Sequence, residues 1–166
     1  MRWRWVFVVL AAATLASAVF IFPVRDKLVW NRTDSAPRGL YWIRQSLVER
    51  GDWVLVSAQS KPAEWAEANG YVGKDWPLIK QVAGLSGDRI CRYGAAILIN
   101  DELASWAREQ DRRGRYLPVW RGCQTLGQDE VFLLNPHPRS LDGRYFGLLD
   151  KRHLEGVAVL IIRSGN

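Results

Sequence analysis

The sequence predicts a mainly β domain with one short helix, standing behind an apolar N-terminal helix. Three observations lead there. Short runs of β-branched and aromatic residues recur between turn signals, one segment alone carries helix formers with a start and a stop, and residues 6–22 hold no charge. A chain of 166 residues accommodates one domain with a proper core and is too short for two comfortable ones. The expected division is an N-terminal anchor with its flanks over residues 1–27 and one folded domain over residues 28–166.

The apolar run VFVVLAAATLASAVFIF (residues 6–22), with Trp5 beside it, is long enough at ~1.5 Å per helical residue to span a hydrocarbon core of ~30 Å. We read it as a transmembrane helix. A cleaved export signal is the rival reading, because Ala16, Ser17 and Ala18 end a short apolar region in the small-residue pattern that export peptidases cut. In both cases the remainder is exported. Arg2 and Arg4 precede the run and Arg25, Asp26 and Lys27 follow it, so the positive-inside rule favours a cytoplasmic N-terminus only weakly.

Beyond the run, PVRDKLVWNRTDSAPRG reads as a turn-rich connector, and LYWIRQSL and GDWVLVSA (residues 51–58) as strands. KPAEWAEANG (residues 61–70) reads as the helix, with Pro62 in the first turn and Gly70 at the stop. LIKQVAG is a strand ending at Gly84, LSGD a turn, and AAILIN with DELASW a hairpin around Asn100 and Asp101. DEVFLLN and GVAVLIIR are further apolar strands, the second expected to close the sheet. Residues 102–121 carry the weakest pattern.

The formal charge is +6, of which Arg2 and Arg4 supply +2, leaving +4 for residues 23–166. That surplus suits an anionic membrane surface as well as nucleic acid. RRGR at residues 112–115 is the densest basic run, but Glu109 and Asp111 dilute it, so it reads as a solvated hairpin tip and no nucleic-acid partner is expected. Cys91 and Cys123 are an even pair in an exported domain and lack a CxxC signature, which favours a disulfide over two buried thiols or a zinc site with His137 and His153. No metal or cofactor is expected.

Ser35, in SAPRGLYW (residues 35–42), is an ordinary turn residue by composition. Its place is less ordinary: the 13 residues from Phe22 to Ser35 reach at most ~45 Å at ~3.5 Å each, so whatever Ser35 does happens near the bilayer. A serine nucleophile needs a base. His137, between two prolines, and His153, among charges, both have surface explanations. Lys80 interrupts an apolar strand in which it shares a face with Leu78 and Val82. Burial would make such a lysine a neutral base, whereas an edge-strand lysine would snorkel to water or pair with Asp142 or Asp75. SLDGRYFG sets Ser140, Asp142 and Arg144 at alternate positions, on one side of an extended segment, unless it is a surface turn around Asp142 and Gly143.

TDSAPRGLYW, LIKQVAGLSGD and NPHPRSLDGRYFG, in that order, resemble the signal peptidase superfamily of membrane-anchored Ser-Lys proteases. The SxPxGxYW form and the paired cysteines resemble its conjugative transfer branch of TraF type more than the housekeeping leader peptidases, over residues 28–163. The resemblance implies an antiparallel β-sheet catalytic domain with Ser35 as nucleophile, Lys80 as general base, and Thr33 as an oxyanion donor beside the Ser35 N–H. It implies support for the site from Asp142, treated as a third catalytic residue in this branch, and from Arg144 and Ser140. It assigns Gly84, Gly87 and Asp88 to the turn after the lysine. It also places the N-terminus in the cytoplasm, the domain in the periplasm and the anchor in a bacterial inner membrane.

The reading that follows is a membrane-anchored serine endopeptidase that processes an exported, membrane-bound precursor. A pilin-type subunit is the expected partner, alongside other conjugation-apparatus proteins, and it is cut or, as in some relatives, cyclised. A general type I signal peptidase and a non-catalytic membrane-anchored assembly factor are the alternatives. Trp30, Tyr41 and Trp42 flank the nucleophile, suited either to the headgroup layer or to strand packing.

Overall fold

Period-two burial along the strands sets the architecture of the computed structural model, which describes residues 28–164 together with Trp3 and residues 6–8. The strands are β1 (Leu28–Asn31), β2 (Gly39–Arg44), β3 (Trp53–Val56), β4 (Leu78–Gly84), β5 (Arg89–Tyr93) and β6 (Ala96–Ile99). They continue as β7 (Glu102–Trp106), β8 (Gly122–Thr125), β9 (Glu130–Leu133), β10 (Leu148–Asp150) and β11 (Leu154–Arg163). Helix α1 covers Lys61–Ala68, the short α2 covers Gly143–Phe146, and a 3₁₀ turn covers Lys151–His153. The expected membrane helix over residues 6–22 lies almost wholly outside the described residues. Residues 6–8 are helical, and no helix among the described residues is long and apolar enough to cross a membrane.

A seven-stranded sheet runs β1-β2-β11-β3-β4-β9-β10 and a four-stranded sheet runs β7-β6-β5-β8, with antiparallel pairing throughout. On one face of the large sheet Val54, Val56, Leu78, Val82, Val131 and Leu133 form a core with Ala63 of α1. On the other, Tyr41, Ile43, Leu55, Ile79 and Ala158 form a second. The alternation of Val54 and Val56 with Leu55, and of Leu78 with Ile79, is the pleat itself. A third cluster around Ile90, Ile97, Phe132 and Tyr145 joins the small sheet to the large one.

Helix α1 starts where the sequence places it: Ser60 accepts from the Ala63 amide as N-cap, and Pro62 sits in the first turn. Asn100 and Asp101 both take positive φ, 51° and 67°, as a two-residue hairpin of mirror-image type requires. Three expectations need correction, and one open alternative, that of Tyr41, is resolved. Strand β11 does not close the sheet; it lies inside, pairing with β3 through its first half and β2 through its second, with irregularities at Leu154/Gly156 and Leu160/Ile162. The connector contains β1, and β5 and β8 form without having been read, because they are short and β8 is exposed along its length. SLDGRYFG is not extended; Asp142 caps α2, with its side chain accepting from the Arg144 amide. Tyr41 is fully buried and donates to Pro37 O at 2.7 Å, so it packs in the core, while Trp30 and Trp42 stay exposed.

Cys91 and Cys123 are joined by a disulfide between directly opposed residues of β5 and β8. It closes a loop of 32 residues of separation, which in the chain-entropy picture is worth about 3–4 kcal/mol. Replacing both cysteines by alanine is expected to lower unfolding free energy by that order in denaturant titration, with the loss centred on β5–β8.

Candidate active site

The turn between β1 and β2 is built around Asn31. Its buried side-chain Nδ2 donates to the carbonyls of Thr33, Ala36 and Pro37, each at 3.0 Å, and its Oδ1 accepts from the Thr33 amide at 3.1 Å and the Thr33 hydroxyl at 2.9 Å. Three carbonyls on one side of the amide fix its orientation. The Thr33 hydroxyl proton is therefore committed to Asn31, and Thr33 Oγ1 accepts from Ser35 Oγ at 3.1 Å. Ser35 is half-buried, and among the described residues its backbone N–H has no acceptor. Gly39 ends the turn because a Cβ there would lie 2.0 Å from Ile162 O of β11.

Lys80 lies on β4, opposite Val54 of β3 and one strand from β9. It is therefore not an edge lysine: it is 6% exposed and shares the aliphatic face of Leu78 and Val82. Burial lowers its pKa from 10.5 to about 8, a shift that Asp142 opposes and Arg144 reinforces. In free energy the penalty on the ammonium is about 3 kcal/mol. Its Nζ donates to Ser140 Oγ at 3.2 Å. Asp142, the other possible counterion, is occupied: Arg144 Nη1 meets its Oδ2 at 2.5 Å, and the amides of Asn135 and Arg144 donate to it at 3.1 and 3.2 Å. Burial raises the Asp142 carboxyl's pKa, against the pull of Arg144, Lys80 and the two amides. Arg144 is itself 2% exposed and also donates to Asn135 O and Ser105 Oγ. Gly143 is required between this pair, since a Cβ would fall 2.5 Å from the Phe132 ring and 2.7 Å from Leu133 O.

Asn135, fully buried just after β9, ties these parts together. Its Nδ2 donates to Ser35 O at 2.7 Å, its Oδ1 accepts from the Gln81 amide at 2.8 Å, and its own amide donates to Asp142. One side chain thus connects the serine turn to the residue after Lys80, and its backbone connects both to the Asp142–Arg144 pair.

Thr33, Ser35, Lys80 and Ser140 line one groove of about 630 Å³, while Asp142 and Arg144 lie behind it. Ser35 also lines a second groove of about 530 Å³, with Pro37, Trp53 and His137. Ser35 Oγ and Lys80 Nζ are not hydrogen-bonded to each other; their hydroxyl partners are Thr33 and Ser140. His137 Nδ1 accepts from the Arg139 amide, and His153 lies in the 3₁₀ turn, away from both grooves. The disulfide stands apart on the small sheet. Among the described residues no group of three His, Cys, Asp or Glu is arranged to hold a metal.

A family model described as "Signal peptidase, peptidase S26" matches residues 1–163. The chain belongs to this family of signal peptidases. Two plasmid transfer proteins TraF of Escherichia coli are similar to it, one 31% identical over 76% of this chain and 78% of the relative, the other 30% identical over 87% and 85%. The crystal structure of a signal peptidase I from Enterococcus faecalis aligns over 69% of this chain and 98% of its own length, with 19% identity and a TM-score of 0.40.

Sequence reading misses Asn31 and Asn135. Both sit in turn-forming contexts, before RTD and before a proline, where asparagine is commonplace; only the fold reveals that their amides are spent on site backbone. Asn135→Asp replaces the donor facing Ser35 O and Ile79 O by an acceptor. It is expected to reduce peptidase kcat about 10- to 100-fold, with a stability loss of about 1–3 kcal/mol in denaturant titration. Lys80→Met tests the electrostatics. Between pH 8 and 10.5 the unfolded chain holds a proton that folded Lys80 has released, so wild-type stability rises with pH across that window. The variant lacks this gain. Its stability relative to wild type is therefore expected to be highest near pH 7 and to fall by about 3 kcal/mol toward pH 10.5 in paired denaturant titrations.

Proposed function

We propose that the chain is a membrane-anchored serine endopeptidase of a conjugation apparatus, which cuts an exported pilin-type precursor with Ser35 as nucleophile and Lys80 as general base. The observation that carries this reading is the placement of a fully buried lysine, its pKa lowered to about 8, in the same groove as a serine whose turn is fixed by two asparagines.

Neutral Lys80 takes the Ser35 hydroxyl proton as Oγ attacks the scissile carbonyl carbon. The Ser35 N–H is available for the resulting oxyanion; Thr33 would join it only by turning its proton away from Asn31. Collapse of the tetrahedral intermediate breaks the C–N bond, and the Lys80 ammonium returns the proton to the leaving amine. Water, or an amine of the same substrate, then accepts the acyl group. The Asp142–Arg144 pair supports this chemistry from behind: with Arg144 holding the carboxylate, Asp142 only partly offsets the burial that lowers the Lys80 pKa. Ser140 accepts one Lys80 N–H, which orients the lone pair.

Ser35 stands between two grooves, which suits a polypeptide cut within its length. The plasmid transfer role named for the two TraF relatives supports a conjugation setting. Trp30, Trp42, Val159 and Ile162 are exposed on one face of β1, β2 and β11, beside the turn that carries Ser35. We assign that face to the outer leaflet of the inner membrane, with the domain in the periplasm.

Ser35→Ala and Lys80→Ala are each expected to reduce conversion of a co-expressed conjugative pilin precursor about 1,000-fold or more, with the chain still folded. Conversion that survives both substitutions would remove the dyad. In the wild type, kcat/KM is expected to rise about tenfold from pH 7 to pH 9 and then level, as the free lysine loses its proton.

A further inference from the structure

The groove that holds Ser35 and Lys80 is also lined by arginines. Arg32, Arg108, Arg112, Arg113 and Arg139 line it, all exposed, and among the described residues none has a carboxylate within ion-pair distance. The carboxylate that lines the groove, Asp111, does not neutralise them. Its Oδ2 accepts from the Tyr71 hydroxyl and Arg115 Nε, both at 2.7 Å, and its Oδ1 accepts from the amides of Arg113 and Arg115. The Tyr71 hydrogen bond and these donors hold its pKa below the ordinary carboxylate range.

The same contacts make the loop a fixed feature. Arg115 lies 4.1 Å over the Tyr71 ring and donates to Asn69 O at 2.6 Å; Tyr71 in turn stacks on Trp65 of α1 at 5.4 Å. The Gln110–Tyr116 bridge closes the loop's base. Arg112 and Arg113 are thus carried on a rigid tip stapled to the end of α1, their heads without an ion-pair partner among the described residues. Val72, Leu78, Leu117 and Tyr145 give the same groove an apolar part.

We propose that the arginines of this groove form a specificity subsite for an acidic segment of the polypeptide substrate, one rich in Asp or Glu. The inference rests on the peptidase reading above, which makes a polypeptide the occupant of a groove that holds Ser35. Guanidinium groups on a preorganised loop bind carboxylates by charge-assisted, often bidentate hydrogen bonds with little ordering cost. An arginine cluster without acidic partners among the described residues is complementary to acids brought by a substrate.

The probe is fluorescein-labelled hexaglutamate, read by anisotropy on the full chain in neutral detergent, with hexaglutamine as the uncharged counterpart. The expected result is salt-sensitive binding of hexaglutamate over hexaglutamine. It should weaken about tenfold or more in Arg112→Glu/Arg113→Glu and be retained in the charge-matched Arg44→Glu/Arg121→Glu, whose positions are exposed and outside the groove. Ser35→Ala should bind like wild type, so loss of the dyad reading and loss of the subsite are separate results. Equal binding of both peptides, or equal weakening in the two double variants, would overturn the subsite. So would a loss in Arg112→Glu/Arg113→Glu of binding to phosphatidylglycerol vesicles with hexaglutamate binding intact, which would give the arginines to a lipid headgroup.

Discussion

Burial of the Lys80 amine on the aliphatic face of β4 is the constraint around which the site is arranged. An ammonium there faces Val54, Leu78 and Val82 and is disfavoured by about 3 kcal/mol net, burial being the largest cause. A carboxylate in contact would relieve it and restore the charge. The fold instead gives Asp142 to Arg144, itself 2% exposed and held by Asn135 O and Ser105. Lys80 keeps a hydroxyl for its neighbour, Ser140. A buried ion pair beside a buried amine is costly to assemble, and here it leaves Lys80 with a lowered pKa and no carboxylate in hydrogen-bond contact.

The serine side of the groove shows a different device. Ser35 has no strand or helix of its own, and its turn is held by amide side chains, Asn31 from within and Asn135 from across the sheet. Because Asn135 also accepts from the Gln81 amide, the turn and the lysine strand share one anchor. The same turn joins β1 and β2, whose outer face exposes Trp30 and Trp42. On the proposed reading, one hairpin carries both the nucleophile and the face set against the membrane, in keeping with cleavage of a bilayer-tethered precursor.

Much of this was legible in the sequence, for physical reasons. LIKQVAG has the alternation of a strand and a charge where none belongs, and the structure gives that strand residue for residue, with Lys80 on the Leu78 and Val82 face. The Asn100–Asp101 hairpin and the capped helix at Ser60 announce themselves by local chemistry. What failed to show was decided by distant partners. Strand β11 is apolar enough for an edge or a centre, and only its pairing with both β2 and β3 places it inside. SLDGRYFG alternates like a strand yet turns into α2, because Asp142 caps it and Gly143 fits against Phe132. The asparagines carry no pattern at all, since an amide's value here lies in which carbonyls surround it.

The account depends most directly on the protonation state of Lys80. With the lysines, five in all, labelled at 13Cε in the full chain, the Lys80 resonance is identified by its loss in Lys80→Met and followed by NMR from pH 6 to 11. A titration midpoint near 8 is the result predicted. A midpoint at the ordinary lysine value of about 10.4 would contradict it, because the share of free amine at neutral pH would then be about 200-fold smaller and Ser35 would be left without an effective base.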